Sequence, residues 1–312
     1  MTTTDAGAGN PSDESARGSQ QTAKKKSRAG RDLPAAIAVG VGIGGALIAT
    51  LVFIPRFWVV LCAGAIFVAS HEVVRRLREA GYVIPAIPLL VGGQVTLWLS
   101  WRYHAAGVLA GFGAMVVVCN VWRLFMPDSS KRDDPGGAGQ GPPAASNYLR
   151  DAGATAFLAA WVPLFASFAA LLVYHPNPKE GAGRVFCLMI AVVSSDIGGY
   201  AVGVLLGKHP MVPSISPNKS WEGFAGSMVC GITATILTAT LLAHRPAWQG
   251  ALLGFVLVLT CTTGDLVESQ VKRDLGIKDM GRLLPGHGGL MDRLDGLLPS
   301  AVAAWALFTL LR

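Results

Sequence analysis

The chain alternates between long apolar runs and short polar connectors. Apolar runs cover about Pro34 to Ile54, Phe57 to Ser70, Val83 to Leu99, Ala105 to Val121, Ala152 to Val173, Val185 to Leu206, Gly223 to Leu242, Ala251 to Val267 and Leu297 to Leu311. Most approach the ~20 residues that a helix needs to cross the hydrocarbon layer. The pattern predicts an all-α, polytopic integral membrane protein of about nine transmembrane helices. The second and last runs are the shortest, and the last lengthens if it starts near Leu290.

The connectors carry the polar chemistry. Residues 1–31 are rich in Thr, Ser, Gly, Ala and Gln and end on Lys24, Lys25, Lys26, Arg28 and Arg31. Too little apolar surface is present to offset chain entropy, so this reads as a disordered basic tail, with residues 32–312 as the membrane domain. The connector Pro127 to Ser146 is a flexible loop by its Pro and Gly content. In His71 to Glu79, Val73, Val74 and Leu77 share one helical face against Arg75, Arg76 and Arg78. That segment reads as a helix leaving the membrane for water, or alternatively as an interfacial helix gripping anionic lipid.

Composition agrees with the pattern. The chain is 52% hydrophobic and 14% charged, against ~25% charged in soluble domains. A net charge of +7 would suit nucleic acid if it were gathered in one patch. Here the basic residues are scattered between apolar spans, so nucleic acid is not expected as a partner. A lipid headgroup, a nucleotide or the leaflet surface is. Cys62, Cys119, Cys187, Cys230 and Cys261 lie inside apolar runs without CxxC spacing, and are read as small core residues rather than disulfides or zinc ligands.

Charge also orients the chain. Nine spans with the basic tail inside put 20 of the 26 Lys and Arg on the tail's side. Positive residues favour the cytoplasmic side. The expectation is a multi-pass protein of the cell (inner or plasma) membrane with its N-terminus cytoplasmic. The loops Gly207 to Glu222 and Ser269 to Gly289 then also face the cytoplasm, where nucleotides are.

Acids in or at the ends of membrane spans cost roughly 2.5–3.5 kcal/mol each on insertion scales and are functional candidates by default. Asp196 lies mid-run in VVSSDIGGY, Asp265 and Glu268 end the eighth run, and Asp292 and Asp295 are expected to open the last helix. Asp265, Glu268, Ser269 and Lys272 fall on one helical stripe, and Asp292 and Asp295 stack three apart. Facing carboxylates must be neutralised by protons, by Lys or Arg, or by a divalent cation.

The run Pro285-Gly-His-Gly-Gly289 lets backbone N–H groups approach an anion and leads into a helix N-terminus. With Lys272, Arg273, Lys278, Arg282 and Arg293 around it, the stretch describes a site for phosphates held through metal. His287 reads as a metal ligand, an acid, a phosphate donor or a packed loop residue. In the proline-rich loop before Trp221, Ser216 and Lys219 suit phosphate, and Ser220 suits capping of the next helix.

The run S-x-V-K-R-x4-K-D-x-G-x2-L-P-x-H-G-G-L-x-D-R-L-D from Ser269 to Asp295 resembles the signature of the phosphatidate cytidylyltransferases, the CDP-diacylglycerol synthases. SDIGGYAVGVLLGKHP and SPNKSWEG also resemble segments of that family, with Asn218 where a second lysine is common and Ser220 where threonine is common. The resemblance covers residues 194–295; the N-terminal half matches only as generic spans. It implies that 32–312 is a catalytic domain converting CTP and phosphatidate to CDP-diacylglycerol and pyrophosphate with a divalent cation, usually Mg²⁺.

On this reading Asp265, Asp292, Lys272 and Arg293 carry the chemistry. Asp265 and Asp292, with Asp295 as a further candidate, hold metal. Ser269, Arg273, Lys278, His287, Gly288, Gly289, Lys219, Ser216 and Asp196 bind substrate. A CTP-dependent lipid or polyprenol kinase and an ion-coupled transporter are the rival expectations. The oligomeric state is open, a homodimer being one option.

Overall fold

The computed structural model describes residues 42, 44, 45, 47–127, 147–281, 283 and 288–311. The basic tail, most of the first apolar run, residues 128–146, Arg282 and residues 284–287, with His287 among them, lie outside the described residues.

The elements, in chain order, begin with α1 (Trp58–Glu79), α2 (Ala86–Leu124) and α3 (Tyr148–Ala159). A π-helical turn, Ala160–Leu164, joins α3 to α4 (Phe165–Leu171). Then come α5 (Pro178–Leu206), a two-stranded antiparallel hairpin of β1 (Pro210–Val212) and β2 (Ser216–Ser220), α6 (Trp221–Leu241) and α7 (Ala247–Asp274). A single turn, α8 (Met291–Leu294), precedes α9 (Leu297–Leu310).

The protein is an all-α membrane protein, the hairpin being a small ornament on one of its ends. Among the described residues, six helical stretches are long and apolar enough to cross a bilayer: Pro55–Glu79, Ala86–Leu124, Tyr148–Leu171, Pro178–Leu206, Trp221–Leu241 and Ala247–Asp274. Their outward faces expose Ile87, Val91, Val95, Val204 and Leu205, which lipid tails would cover. Ile66, Leu89, Leu97, Leu158, Leu188 and Leu257 are instead fully buried between helices.

Two breaks shape the N-terminal half. A straight α2 of 39 residues would run about 58 Å, nearly twice the ~30 Å hydrocarbon thickness. His104 interrupts it with φ 51° and ψ −135°. Beyond that point the chain folds back. A Cβ on Gly107 would collide with Leu99 O, and one on Gly111 would lie 2.8 Å from Thr96 Cα. The stretch is thus a helical hairpin turning at His104, where the two separate apolar runs predicted a connection. The second break is Pro163, which has no N–H to donate and sits in the π-helical turn.

The C-terminal half is closed by small residues. A Cβ on Gly226 would lie 2.7 Å from Gly198 O and 2.6 Å from Val202 Cβ, so α5 and α6 approach at backbone distance. The last helix is shorter than a full span, at 14 residues. Asp292 and Asp295 do not open it as expected; they lie on and just after the separate turn α8. Pro299 explains the split, because it cannot donate the helical hydrogen bond that Asp295 O would accept.

The segment after Ser70 also departs from expectation. Val73, Val74 and Leu77 are buried as the pattern requires, and Arg75 is exposed beside Glu79, but Arg76 and Arg78 turn back onto the protein. Arg78 donates to Ile84 O, Nη2 at 2.6 Å, and Arg76 reaches Met280 O and Asp279 O at the other end of the sequence. Of the five cysteines, four are buried and all are free; Cys230 is exposed on a lipid-length helix.

Candidate active site

The C-terminal ends of α5 and α7, the β-hairpin and α8 meet at one end of the helix assembly. On α7 the predicted stripe is present: Asp265, Ser269 and Lys272 are half-buried and Glu268 is almost wholly buried. Lys219, on β2, donates from Nζ to Asp265 Oδ2 at 2.9 Å. Ser220, next along, caps α6 by accepting from Gly223 N at 3.1 Å, as its position predicts. The hairpin thereby delivers one ammonium group to the middle of the acid cluster.

A second lysine repeats the arrangement a turn further out. Lys272 donates to Glu268 and, at 3.1 Å, to Asp292 Oδ1. Each lysine therefore neutralises carboxylates that would otherwise repel, the outcome that facing acids demand. Asp292 also gathers backbone. It accepts from Met280 N at 3.1 and 3.0 Å, from Gly281 N at 3.4 Å and from Gly289 N at 2.8 Å. Burial alone would raise its pKa, but these backbone donors and Lys272 outweigh it and hold the carboxyl below its ordinary value.

Asp295 behaves oppositely. Burial and the neighbouring charges of Asp265 and Glu268 push its pKa up. The three acids are brought together by a close approach: a Cβ on Gly264 would collide with Asp295 O, so only a glycine in α7 admits the turn carrying that residue. Asp196 joins from α5, with Cys261 Sγ 3.8 Å from its Oδ1 and the charges of Asp265, Lys219 and Arg293 acting on it. A small cavity of about 60 Å³ opens between Asp196, Lys219, Ser220, Ser227 and Asp265.

The remaining candidates surround this centre. Arg273 donates from Nε to Ile215 O at 3.3 Å, tying the hairpin tip to α7. Ser216 opens β2, Lys278 and Arg293 are exposed, Gly288 has the left-handed φ of 81° and Gly289 is buried. Sequence reasoning missed Glu72 and Arg76, which contact the loop from α1. The rule that flags an acid at the end of a membrane span applies to Glu72 as well, and it was the signal available.

Among the described residues no three His, Cys, Asp or Glu side chains converge to hold a metal ion. Mg²⁺ does not ask for such a cage; it is commonly held by one or two carboxylates together with substrate phosphates. Asp265 and Asp295, hard oxygen donors whose charges oppose each other, could hold such an ion. The oxygens of Asp292 are in use by backbone N–H groups and Lys272, so metal there would take the place of the lysine.

An all-α membrane fold with lysines, carboxylates and a glycine-rich turn at one end of the bundle defines a membrane-embedded enzyme for phosphate-bearing substrates. The family model of the cytidylyltransferase family matches residues 34–311, and the chain belongs to that family. It is 75% identical over the full length of both chains to a phosphatidate cytidylyltransferase of Mycobacterium leprae. It is 69% identical, again over both full lengths, to one of Mycobacterium bovis. A phosphatidate cytidylyltransferase of Brucella melitensis is 41% identical over 44% of this chain and 52% of its own.

Proposed function

We propose that this protein is a phosphatidate cytidylyltransferase, converting CTP and phosphatidate to CDP-diacylglycerol and pyrophosphate in phospholipid biosynthesis. The observation that carries the reading is the paired arrangement Lys219–Asp265 and Glu268–Lys272–Asp292 in a chain of the cytidylyltransferase family. Lysines held by acids at a membrane end are cations in reserve for phosphate.

An oxygen of the lipid phosphate attacks the α-phosphorus of CTP; the bond from that phosphorus to the bridging oxygen breaks and pyrophosphate leaves. A phosphate monoester has a second pKa near ~6 and is largely ionised at neutral pH, so no strong base is needed to form the nucleophile. The difficulty is bringing two anions together, and such transfers are catalysed mainly by positioning and charge stabilisation. Lys272 and Arg293 stabilise charge on the transferring and leaving phosphates. Lys219, Ser216, Ser269, Arg273, Lys278, His287 and the backbone of Gly288 and Gly289 bind the nucleotide phosphates, and Asp196 lines the polar cavity beside the lipid headgroup. Asp265 and Asp295 would hold Mg²⁺, with Asp292 as a ligand when Lys272 turns to phosphate. The ion supplies Lewis-acid stabilisation of phosphate charge when bound.

The chain crosses the cell membrane nine times with this end cytoplasmic. CTP then arrives from water while the acyl chains stay in lipid, and the phosphates meet at the interface. Purified protein with labelled CTP, phosphatidate and Mg²⁺ should yield CDP-lipid and pyrophosphate, and chelation should stop the reaction until Mg²⁺ is returned. Phospholipid with CDP as products would make the protein a kinase instead. For orientation, Lys179 and Asn218 are both exposed. A Lys179→Cys variant should be labelled by an impermeant thiol reagent from outside intact cells and Asn218→Cys should not; reversed labelling overturns the orientation.

A further inference from the structure

The polar end of α1 is not spent on solvent or lipid. Glu72, only 9% exposed, accepts from Leu290 N at 3.2 Å and from Met291 N at 2.9 Å, the two backbone donors at the entry to the turn that carries Asp292. One helical turn on, Arg76 donates from Nε to Met280 O at 2.9 Å and from Nη2 to Asp279 O at 3.1 Å. Its other nitrogen, Nη1, pairs with Glu79 at 2.8 Å. Glu72 and Arg76 therefore present a carboxylate acceptor to the N–H groups of Leu290 and Met291 and a guanidinium donor to the C=O groups of Asp279 and Met280.

The fit is close. A Cβ on Gly281 would collide with Glu72 Oε1, and one on Gly289 would lie 2.7 Å from Glu72 Oε2. The same two stretches are also gathered by Asp292 through Met280 N, Gly281 N and Gly289 N. Two carboxylates thus hold these stretches together, one in the site and one on a helix more than 200 residues away in sequence.

We propose that Glu72 and Arg76 are positioning residues for nucleotide binding: they clasp the backbone of Asp279, Met280, Leu290 and Met291 and so set where Lys272, Asp292 and the Gly288–Gly289 amides meet the phosphates of CTP. The inference rests on the reading of the site as a CTP site. Because their partners are backbone groups of fixed polarity, the two residues cannot exchange places, unlike a side-chain ion pair. Arg76 also needs its planar fork, since one ammonium group cannot reproduce two diverging donors to neighbouring carbonyls.

The test is steady-state kinetics of full-length protein in detergent with phosphatidate, with CTP-induced thermal stabilisation measured in the absence of phosphatidate. In Glu72→Gln, which keeps the size but places an amide N–H against backbone donors, the KM for CTP should rise about 10-fold or more, within the range typical of residues that orient a site's ligands. The KM for phosphatidate should stay within about 2-fold, and the CTP-induced stabilisation should shrink. Arg76→Lys should show the same split more weakly. The exchange Glu72→Arg with Arg76→Glu should not rescue. An unchanged KM for CTP in folded Glu72→Gln and Arg76→Lys overturns the proposal, as does recovery in the exchanged double variant. If Glu72→Gln does not fold, Arg76→Lys alone decides. Failure of the unmodified protein to bind CTP or turn it over is a separate result, and sinks the cytidylyltransferase reading rather than the clasp.

Discussion

The two ends of the helix assembly are both polar, yet they are built on opposite principles. At one end, Arg56, His104, His175 and Arg184 with Trp101, Tyr174 and Trp305 line a cavity of about 610 Å³. At the other, Asp196, Asp265 and Lys219 line a space of about 60 Å³, and Lys272 pairs with Glu268 and Asp292 close by. Two residues of the large cavity's lining share a carboxylate with Arg245: Glu180 Oε1 lies 3.2 Å from Arg184, 3.4 Å from His175 and 3.6 Å from Arg245. That is a structural tie between helix ends. The small one holds more acid than base, and around it the hairpin supplies Lys219, the turn α8 supplies Asp292 and the chain at Met280, Gly281 and Gly289 supplies backbone N–H groups. Volume therefore does not locate the chemistry. Charge that has been brought together at a cost, and held there by lysines that phosphate could attract away, locates it better.

The largest effect expected from this contrast is on turnover. Asp265→Asn removes the partner of Lys219 and should lower CDP-diacylglycerol formation by about 10²-fold or more, the scale of losing one group that stabilises charge in a transition state. Arg56→Ala, in the large cavity, should change it by no more than about 2-fold. Measured side by side on folded protein, equal losses would erase the distinction between the two ends.

A smaller effect separates packing at the site from packing elsewhere, and is read from the thermal midpoint. Gly264→Ala drives a methyl group into Asp295 O, and should cost about 1–3 kcal/mol. Gly153→Ala, in a helix with nothing within 4 Å of the new Cβ, should instead be neutral or stabilising by up to about 1 kcal/mol. A Gly264→Ala variant as stable as the parent would mean that the turn bearing Asp292 and Asp295 is not pressed against α7.

Much of this arrangement was legible in the residues themselves. The apolar runs marked the helices, including the two halves of α2, because a span long enough to cross lipid needs about 20 apolar residues whatever its neighbours do. Helical spacing placed Asp265, Glu268 and Lys272 on one face, and Ser220 was recognisable as a cap because capping is a local event. The signature from Ser269 to Asp295 pointed to the cytidylyltransferases, the family to which the chain belongs. The turn at Asp292 was less legible: Pro299, in the first turn of α9, cannot donate to Asp295 O and so splits the helix before it, a local cause that was present in the sequence and outweighed by the apolar pattern around it.

What the sequence determined alone is whatever depends on spacing along one helix or on total apolar length: a membrane protein, its helices, and the stripe of acids near the end of α7. Only the tertiary structure decided which groups neutralise those acids. Lys219 reaches Asp265 across 46 positions, and Glu72 reaches Met291 across 219. Such pairings depend on the close approach of backbones at glycines and on hydrogen bonds to N–H and C=O groups. Those groups are the same at every position but proline's missing N–H, so their choice of partner leaves no mark in the sequence.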